Sequence, residues 1–478
     1  MANEQTQIEE SQRQLNEMRR QLAALQAQMS GSQSNAQTSP STSPDAIPSP
    51  SSNNTATTYA AEIQDIRERQ SVQESQIATH EQTKVGSESK YPFKVTGLLL
   101  FNGFVNTSAV DMPSTPTVAM PGPGSTGASL RQTVLGFDAS GPHLFGAHSY
   151  ADLRVDFDGS PQYGGTAGVY TGYYNSSTTL LRLRTAHAGL QWDHTEAYFS
   201  LDRPIFSPDS PTSLAAVAVP ALAWSGNLWT WNPQLGVTHD LAFAGSHELR
   251  LQAALVDVGD APISPVVPTT TTSAVTPPST AEQSRWPGVE ARIAILGSKA
   301  HEDGNHFGIG GYFSPHLTPF GTRFDSWAAT VDTRLVLPAR LEFTGSLYRG
   351  LGLGGLGGGG YKDFVYRSDP DNMNKYYVRP LDDVGGWAQL KEKLTERLEF
   401  NAAFGMDNVF AGDLRRYAVP NGTMYQNLAR NRTYTGNVIY SPKAYLLFSF
   451  EYRHLDSSPI LGSSVGANII GLAAGYKF

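Results

Sequence analysis

Hydrophobic residues near the start of the chain recur at alternating spacings of three and four positions. Apart from Ser11, the recurring positions are apolar: Ile8, Leu15, Met18, Leu22, Leu25 and Met29. This spacing is the a/d seam of a coiled coil, so we predict a helix within residues 1–30. About three heptads are too short to be stable alone, and the helix is therefore expected to associate with copies of itself. A solitary amphipathic helix lying on a surface is the alternative.

A linker and a second helical segment follow this helix. Residues 31–58 consist largely of Ser, Thr, Pro, Asn and Ala. This composition predicts a disordered linker, because it cannot bury enough apolar surface to fold. A weaker heptad pattern with partly polar core positions follows in residues 59–90. Polar core positions cost stability but can fix the register of a coiled coil, so we predict a second short helix or coiled coil there.

Beyond residue 91 the hydrophobic pattern changes from heptad spacing to strict alternation. In residues 148–158, the apolar side chains of Ala151, Leu153, Val155 and Phe157 alternate with polar or charged ones. This alternation is the pattern of a two-faced β-strand. About sixteen such runs can be counted. They start near residues 93, 131, 147, 179, 194, 228, 246, 288, 305, 325, 340, 385, 396, 432, 443 and 465.

The connections between these runs alternate between short and long without a break. Seven short links alternate with eight long links rich in Gly, Pro and Ser. A soluble sandwich has no reason to place every long loop at one end, whereas an outer-membrane barrel has short periplasmic turns and long external loops. We therefore predict an all-β fold for residues 91–478, a transmembrane antiparallel β-barrel of about 16 strands. An even strand count leaves both barrel ends on the periplasmic side, together with the N-terminal helices.

Charged residues crowd the polar face of the predicted strands, which would line a water-filled lumen. The predicted pore-lining residues are Arg154, Arg182, Arg184, Arg250, Arg292, Arg334, Lys391, Arg453, Asp152, Asp156 and Glu196. Arg182 and Arg184 stand one pleat apart on one strand. They suit an anion-guiding ladder, because a guanidinium binds carboxylate or phosphate with two parallel hydrogen bonds. The alternative is that each arginine pairs with a carboxylate of the wall.

The third long loop, residues 205–227, is uncharged after Asp209 and contains an apolar run at 214–224. An exposed external loop would rarely be this apolar, so we expect it to pack inside the barrel or at a subunit contact. We favour a constriction of the pore, with Asp209, Trp224 and Asn227 as its candidate residues. If Asp209 faces the arginines, a transverse electric field crosses the pore.

Composition narrows the class of protein further. The absence of Cys excludes a disulfide framework, a thiolate zinc site and a Cys nucleophile. The net charge of −8 disfavours nucleic-acid binding. The most apolar stretch, residues 214–224, contains Pro220 and is much shorter than the ~20 residues that a membrane-spanning helix needs.

Candidate catalytic and metal-binding motifs in the sequence are weak. Gly350, Gly352 and Gly355 match a dinucleotide-binding pattern, but no helix is predicted after them, so we expect a flexible loop. His301 and His306 fall in a short turn without further metal ligands, and we expect this turn to be solvated. No G-x-S-x-G elbow stands out. The sequence therefore predicts no enzymatic activity, no metal and no cofactor.

The final residues, IIGLAAGYKF, place Tyr476 and Phe478 on one face and end at the aromatic Phe478. This ending resembles the C-terminal strand by which bacterial outer-membrane barrels are recognised for assembly. Residues 135–159 and 181–208 resemble the trimeric porin superfamily. The combination of an N-terminal coiled coil with a barrel of about sixteen strands resembles the DcaP-like porins.

The resemblance implies a homotrimer of separate pores in the bacterial outer membrane, with the lipid bilayer and the barrel assembly machinery as partners. It also implies a third loop that folds inward, and passive diffusion of small hydrophilic solutes, in particular organic anions such as dicarboxylates. Two alternatives stay open: a general or carbohydrate-passing porin, and a barrel anchor whose periplasmic coiled coil binds cell wall or a partner.

Overall fold

The computed structural model describes residues 92–159, 180–243, 245, 247–264, 278–297, 304–372 and 375–478. The chain divides into two compact units, Met1–Lys90 and Tyr91–Phe478. All described residues belong to the second unit. The predicted helices in residues 1–30 and 59–90, the linker at 31–58 and the coiled-coil core from Ile8 to Met29 lie outside the described residues.

Nineteen strands are formed by the described residues. The first ten are β1 (Phe93–Val110), β2 (Ala119–Ser129), β3 (Val134–Leu144), β4 (Ala147–Gly159), β5 (Leu180–Gln191), β6 (Thr195–Asp202), β7 (Asn232–Ala242), β8 (Glu248–Val256), β9 (Gly288–Leu296) and β10 (His306–Leu317). The remaining nine are β11 (Arg323–Leu337), β12 (Leu341–Leu351), β13 (Phe364–Ser368), β14 (Tyr376–Pro380), β15 (Asp382–Thr395), β16 (Leu398–Val409), β17 (Leu428–Lys443), β18 (Leu446–Pro459) and β19 (Val465–Lys477).

Helical structure in the described residues is confined to short connections. The α-helices are α1 (Thr280–Ser284), α2 (Ala411–Leu414) and α3 (Met424–Asn427). The 3-10 turns are Pro338–Arg340, Gly354–Leu356, Gly359–Tyr361 and Arg415–Tyr417. No helix in these ranges has both the length and the apolar character needed to cross a membrane.

The main sheet closes on itself as an antiparallel barrel. β1 pairs with β19 from Leu98 with Lys477 to Asn106 with Ile469, which joins the first strand to the last. β2 and β3 occupy one strand position, because β1 pairs with β2 along its second half and with β3 along its first half. β13 and β14 form a separate hairpin. Sixteen strand positions therefore make up the barrel, and the predicted architecture is confirmed.

Side chains alternate between the outside and the inside of the barrel along each strand. In β11, Trp327 and Val331 are exposed on the outer face, while Thr330 and Asp332 are buried on the inner one. The outer face elsewhere leaves large apolar side chains bare, as with Leu347, which is 68% exposed. Such a continuous apolar belt is stable against lipid hydrocarbon and not against water. The predicted two-faced strands are confirmed.

The C-terminal residue forms part of the seam between the first and last strands. Gly97 N donates to Phe478 O at 2.9 Å, and Phe478 N donates to Gly97 O at 3.1 Å. A Cβ atom on Gly97 would lie 2.4 Å from the Phe478 ring, so only glycine allows this ring to pack over the strand. The Tyr476 ring contacts that of Tyr445 at 5.6 Å between centroids.

Two segments expected as long loops contain ordered structure. Residues 107–130 include the end of β1 and all of β2, whose sequence, AMPGPGSTGAS, carries no apolar alternation. Residues 350–384 include the hairpin of β13 and β14 and two buried 3-10 turns. In both cases the glycines and prolines led to the prediction of a loop, because these residues normally mark turns.

Candidate functional site

The connection between β6 and β7, residues 203–231, lies inside the barrel, and we call it the third loop. Its backbone is held by inward side chains of β9 and β11. Ile205 N donates to Glu290 Oε2 in β9 at 2.8 Å. Thr330 Oγ1 in β11 donates to Phe206 O at 2.8 Å. The loop therefore crosses the lumen instead of extending away from the barrel.

The third loop continues across the lumen to β15, β17 and β18. Thr212 N donates to Gln389 Oε1 at 2.6 Å, and Asn437 Nδ2 donates to Thr212 O at 2.8 Å. The next residue, Ser213, donates its hydroxyl to Glu451 Oε2 at 2.5 Å. These contacts place this part of the loop along the inner wall from β15 to β18.

The predicted constriction residues occupy three different positions in the third loop. Asp209 Oδ1 accepts a hydrogen bond from Arg334 Nη2 at 2.9 Å. The Trp224 ring is buried and stacks on Tyr361 at 4.0 Å between centroids. Asn227 Nδ2 donates to a backbone carbonyl of the same loop at 3.0 Å. Asp209 thus contacts a charged group of the wall, while Trp224 and Asn227 hold the loop in its folded shape.

Arg182 and Arg184 lie between β4 and the third loop. The Arg182 guanidinium forms two hydrogen bonds to Asp156, at 3.0 and 2.7 Å, and Arg184 Nη1 reaches the same carboxylate at 3.3 Å. Both guanidiniums also donate to the loop, Arg182 to Ala218 O and Arg184 to Val217 O, each at 2.7 Å. The two arginines therefore share one carboxylate of the wall, Asp156, and both reach the third loop.

The surroundings of this arginine pair carry an excess of positive charge. Asp158 lies 3.9 Å from Arg182 and 3.8 Å from Arg131. With Asp156 this gives three guanidiniums and two carboxylates. The Trp231 ring lies 5.2 Å from the Arg182 guanidinium and 5.0 Å from that of Arg184. An aromatic face at this distance attracts cations and holds the guanidiniums in place.

The other predicted lumen cations each lie within ion-pair distance of a carboxylate. The pairs are Arg154 with Asp138 at 2.6 Å, Arg250 with Asp240 at 2.8 Å, Arg292 with Asp332 at 2.6 Å, Arg334 with Asp209 at 2.9 Å, Lys391 with Glu342 at 3.4 Å and Arg453 with Glu451 at 2.5 Å. Arg250 and Lys391 pair with the residue directly opposite on the neighbouring strand. The partners of Arg154 and Arg292 lie on other strands, that of Arg334 lies in the third loop, and Arg453 pairs within its own strand. In this structure each of these cations is therefore paired with a carboxylate, as in the alternative to the anion ladder.

The remaining predicted acids belong to a polar group on β4, β5 and β6. Glu196 accepts a hydrogen bond from the Tyr150 hydroxyl, and its Oε1 lies 3.4 Å from His187 Nε2. Asp152 stands directly opposite His187 in the pairing of β4 with β5 and lies 3.9 Å from Arg154. Sequence reasoning did not select Tyr150 or His187 as lumen residues.

A second inward segment, residues 352–363, lies beside the third loop, and we call it the glycine loop. Gly359 N donates to Asp383 Oδ2 at 2.7 Å, and Gly360 N donates to Asp407 Oδ2 at 2.8 Å. Gly360 has a φ of 54°, and a Cβ atom there would lie 2.8 Å from Leu428 O. The prediction of a flexible loop is wrong, because these glycines allow the backbone to approach buried wall groups closely.

Two buried charged residues end the glycine loop. Lys362 Nζ donates to the backbone carbonyls of Gly360 at 2.6 Å, Tyr425 at 2.7 Å and Leu428 at 3.2 Å. Burial lowers the pKa of Lys362 to about 7. Burial likewise raises the pKa of the neighbouring Asp363 to about 7.

The glycine loop and the third loop pack against each other. Trp229 N donates to Leu356 O at 3.0 Å, and Thr230 Oγ1 donates to Gly355 O at 2.7 Å. The fully buried Leu353 and Leu356 join Phe206 in one apolar cluster. The leucines interleaved with glycines in LGLGGLGGGG were the sequence signal for a buried segment, since a solvated linker has no use for them.

His306 occupies a position that the sequence did not indicate. It is the first residue of β10 and is buried, so the expected solvated turn is wrong for this residue, while His301 lies outside the described residues. Its Nε2 atom lies 2.9 Å from Asp209 Oδ2 and 3.3 Å from Asp332 Oδ2. The third loop, β10 and β11 thus meet at one imidazole and two carboxylates.

Comparison with solved structures identifies the architecture. The outer membrane channel DcaP of Acinetobacter baumannii matches with a TM-score of 0.58 and 17% identity, over 82% of this chain and 99% of that chain. This barrel has the DcaP channel fold. At this identity the DcaP match concerns the fold alone.

Two further solved structures match less well than DcaP. An anion-selective porin from Comamonas acidovorans matches with a TM-score of 0.49 and 9% identity, over 81% of this chain and 100% of that chain. OmpF of Salmonella typhi, in complex with daunomycin, matches with a TM-score of 0.44 and 10% identity, over 81% of this chain and 98% of that chain. No protein-family model and no curated protein sequence matches the chain.

Proposed function

We propose that this chain is an outer-membrane porin through which small hydrophilic solutes diffuse passively. The observation that carries this proposal is that the barrel has an apolar outer belt and a charged inner wall, and that the third loop lies inside its lumen. An apolar belt requires lipid around the barrel, and a charged inner wall is stable against water. Diffusion down a gradient requires no cofactor and no catalytic residue.

Small organic anions, such as dicarboxylates, are the solutes that we propose. Arg131, Arg182 and Arg184 outnumber Asp156 and Asp158 beside the third loop, which favours an anion at this level of the lumen. A guanidinium recognises a carboxylate through its planar fork of donors. The third loop would act as the constriction, because its carbonyl groups approach these same arginines.

The proposed assembly is a homotrimer of separate pores with the N-terminal helices in the periplasm. Residue 93 and residue 477 begin and end paired strands at the short-turn end of the barrel, which supports a common side for both termini. The aromatic ending at Phe478 supports recognition by the barrel assembly machinery.

Planar bilayer recordings of the full-length chain test the proposal directly. We expect conductance to appear in steps of three for each inserted trimer, with reversal potentials that favour anions in a salt gradient. Block of the current by a dicarboxylate and not by a neutral sugar would separate the proposed solutes from a carbohydrate-passing pore.

A barrel that anchors the N-terminal helices to the membrane is the second candidate. The packing of the third loop against the glycine loop favours it, because two inward segments leave less of the lumen to water. Inserted barrels that carry no current in the same recordings would support the anchor and contradict the porin.

A further inference from the structure

We propose that Asp209, His306 and Asp332 form a binding site for a divalent cation of the Zn²⁺ class, which fastens the third loop to the barrel wall. The three residues come from the third loop, from β10 and from β11, and all three are buried. The site does not depend on which solutes the barrel passes.

The distances between the donor atoms suit a common metal ion. His306 Nε2 lies 2.9 Å from Asp209 Oδ2 and 3.3 Å from Asp332 Oδ2, and one donor atom from each residue lies within 4.8 Å of the others. Zinc binds imidazole nitrogen and carboxylate oxygen at about 2.0–2.2 Å, and tetrahedral angles then separate neighbouring ligand atoms by roughly 3.3–3.6 Å. The His306–Asp332 separation of 3.3 Å falls in this range, and the His306–Asp209 separation of 2.9 Å would have to widen slightly.

The same atoms lack the hydrogen bonds that a simple ion pair would give them. Within the part of the chain that the structure describes, neither His306 Nε2 nor Asp209 Oδ2 has a hydrogen-bond partner, although they are 2.9 Å apart and their side chains are more than nine-tenths buried. A hydrogen bond requires the acceptor to lie close to the line of the N–H bond. Ligands arranged around one central ion lie off that line and stay close together. Burying two polar atoms without hydrogen-bond partners destabilises the folded state, and a cation bound by both atoms would remove this destabilisation.

Two arginines bind the carboxylates, and one of them donates to the same Asp332 oxygen that lies nearest His306. Arg292 donates to Asp332 Oδ1 at 2.9 Å and to Oδ2 at 2.6 Å, and Arg334 donates to Asp209 Oδ1 at 2.9 Å. Hydrogen bonds of this kind orient metal-ligating carboxylates and tune their basicity. Arg334 also lies 3.9 Å from Glu342, a carboxylate that it shares with Lys391 at 3.4 Å.

The donor set specifies the class of ion. One imidazole nitrogen with two carboxylate oxygens suits Zn²⁺ better than Ca²⁺ or Mg²⁺, which prefer oxygen ligands alone. A proton on His306 is the competing occupant, because an imidazolium between two carboxylates would also neutralise them. The two occupants can be distinguished by experiment, because only a metal ion can be measured by elemental analysis and removed by a chelator.

Metal analysis of the refolded full-length chain tests this site. The chelator-treated protein is incubated with zinc chloride, passed through a desalting column and analysed for zinc by mass spectrometry. We expect one tightly held zinc per chain, lost in the His306→Gln and Asp209→Asn variants. The control is His454→Gln, which removes an outward histidine of β18 hydrogen-bonded to Asn468 at 2.8 Å and should keep its zinc.

X-ray absorption at the zinc edge of the unmodified chain gives a second test that needs no variant. We expect nitrogen and oxygen neighbours at about 2.0–2.2 Å with the scattering pattern of an ordered imidazole. Absence of tightly bound zinc from the unmodified chain, unchanged zinc in His306→Gln, or a spectrum of water ligands alone would each overturn the site and leave a proton as its occupant.

Discussion

The inner wall of β4 and β5 and the inner wall of β15 to β18 carry similar polar residues but differ in how far they are covered. On β4 and β5, the side chains of Arg154, Arg182 and His187 are 33%, 28% and 24% exposed. On β15 and β18, Gln389 and Glu451 are 3% and 2% exposed. The third loop forms hydrogen bonds with Gln389 and Glu451 and also with Arg182, but it leaves part of the Arg182 side chain exposed.

This contrast separates two determinants of a barrel lumen. Strand alternation decides which side chains point inward, and the loops that fold into the barrel decide which of those side chains meet water. For the proposed pore, we therefore expect solutes to travel along the more exposed wall of β4 and β5. The predictions that follow test this division, beginning with the change expected to have the largest effect.

Removing the Trp224 side chain should disrupt the covered wall most strongly. Trp224→Ala deletes the ring that stacks on Tyr361 and joins the third loop to the glycine loop. We expect the free energy of unfolding in detergent to fall by about 3–5 kcal/mol, the usual cost of deleting a buried aromatic side chain. Trp286→Ala is the matched control, because Trp286 is 72% exposed. Equal losses in the two variants would show that the loop packing adds no stability.

Cysteine labelling should separate the two walls in a conducting barrel. The chain has no native Cys, so Asp152→Cys on β4 and Ser449→Cys on β18 each introduce one reactive thiol. We expect a charged methanethiosulfonate reagent to lower the single-channel conductance of Asp152→Cys by roughly half or more, since it adds bulk and charge to the open path. Ser449 is buried on the covered wall, so its variant should be unaffected. A loss of conductance on labelling of the Ser449 variant would show that solutes pass along β18 instead.

Arg182 and Arg184 test the ion preference of the exposed wall. Replacing both with Ala removes two of three guanidiniums beside the third loop. We expect the ratio of anion to cation permeability to fall by roughly two-fold or more, as measured from reversal potentials in a salt gradient. Arg432→Ala is the control, because Arg432 pairs with Asp456 on the outer face of the barrel. An unchanged permeability ratio in the double variant would contradict the proposal that these arginines guide anions.

The pH dependence of stability should reveal the buried acid of the glycine loop. Burial raises the pKa of Asp363 from 3.8 to about 7. The folded chain therefore holds a proton that the unfolded chain has lost in this window, and stability falls as the pH rises from about 4 to 7. Asp363→Asn should flatten this fall in unfolding titrations at a series of pH values. A slope that persists in the variant would exclude Asp363 as its source.

The sequence predicted the strands well because alternation is a local property. The starts expected near residues 147, 288 and 465 coincide with the first residues of β4, β9 and β19. β2 was missed because Pro121, Pro123 and its glycines interrupt the alternation without preventing strand pairing.

The lumen could be predicted only in part, because its contacts join residues far apart in the chain. The inward parity of Arg292 was evident from its strand, but its partner Asp332 lies two strands further on. Nothing in the sequence near His306 indicates that Asp209 folds back to meet it. The positions of loops inside the barrel depend on the shape of the whole inner wall, and no short stretch of sequence contains that information.

The seam between β1 and β19 makes closure of the barrel depend on its two most distant strands. β1 is the first strand of the barrel in chain order, and one of its two neighbours is β19, the last. Without residues 465–477, β1 has an unpaired edge, and the reciprocal hydrogen bonds of Phe478 with Gly97 cannot form. We therefore expect a variant that lacks β19 to remain an open sheet with two exposed edges.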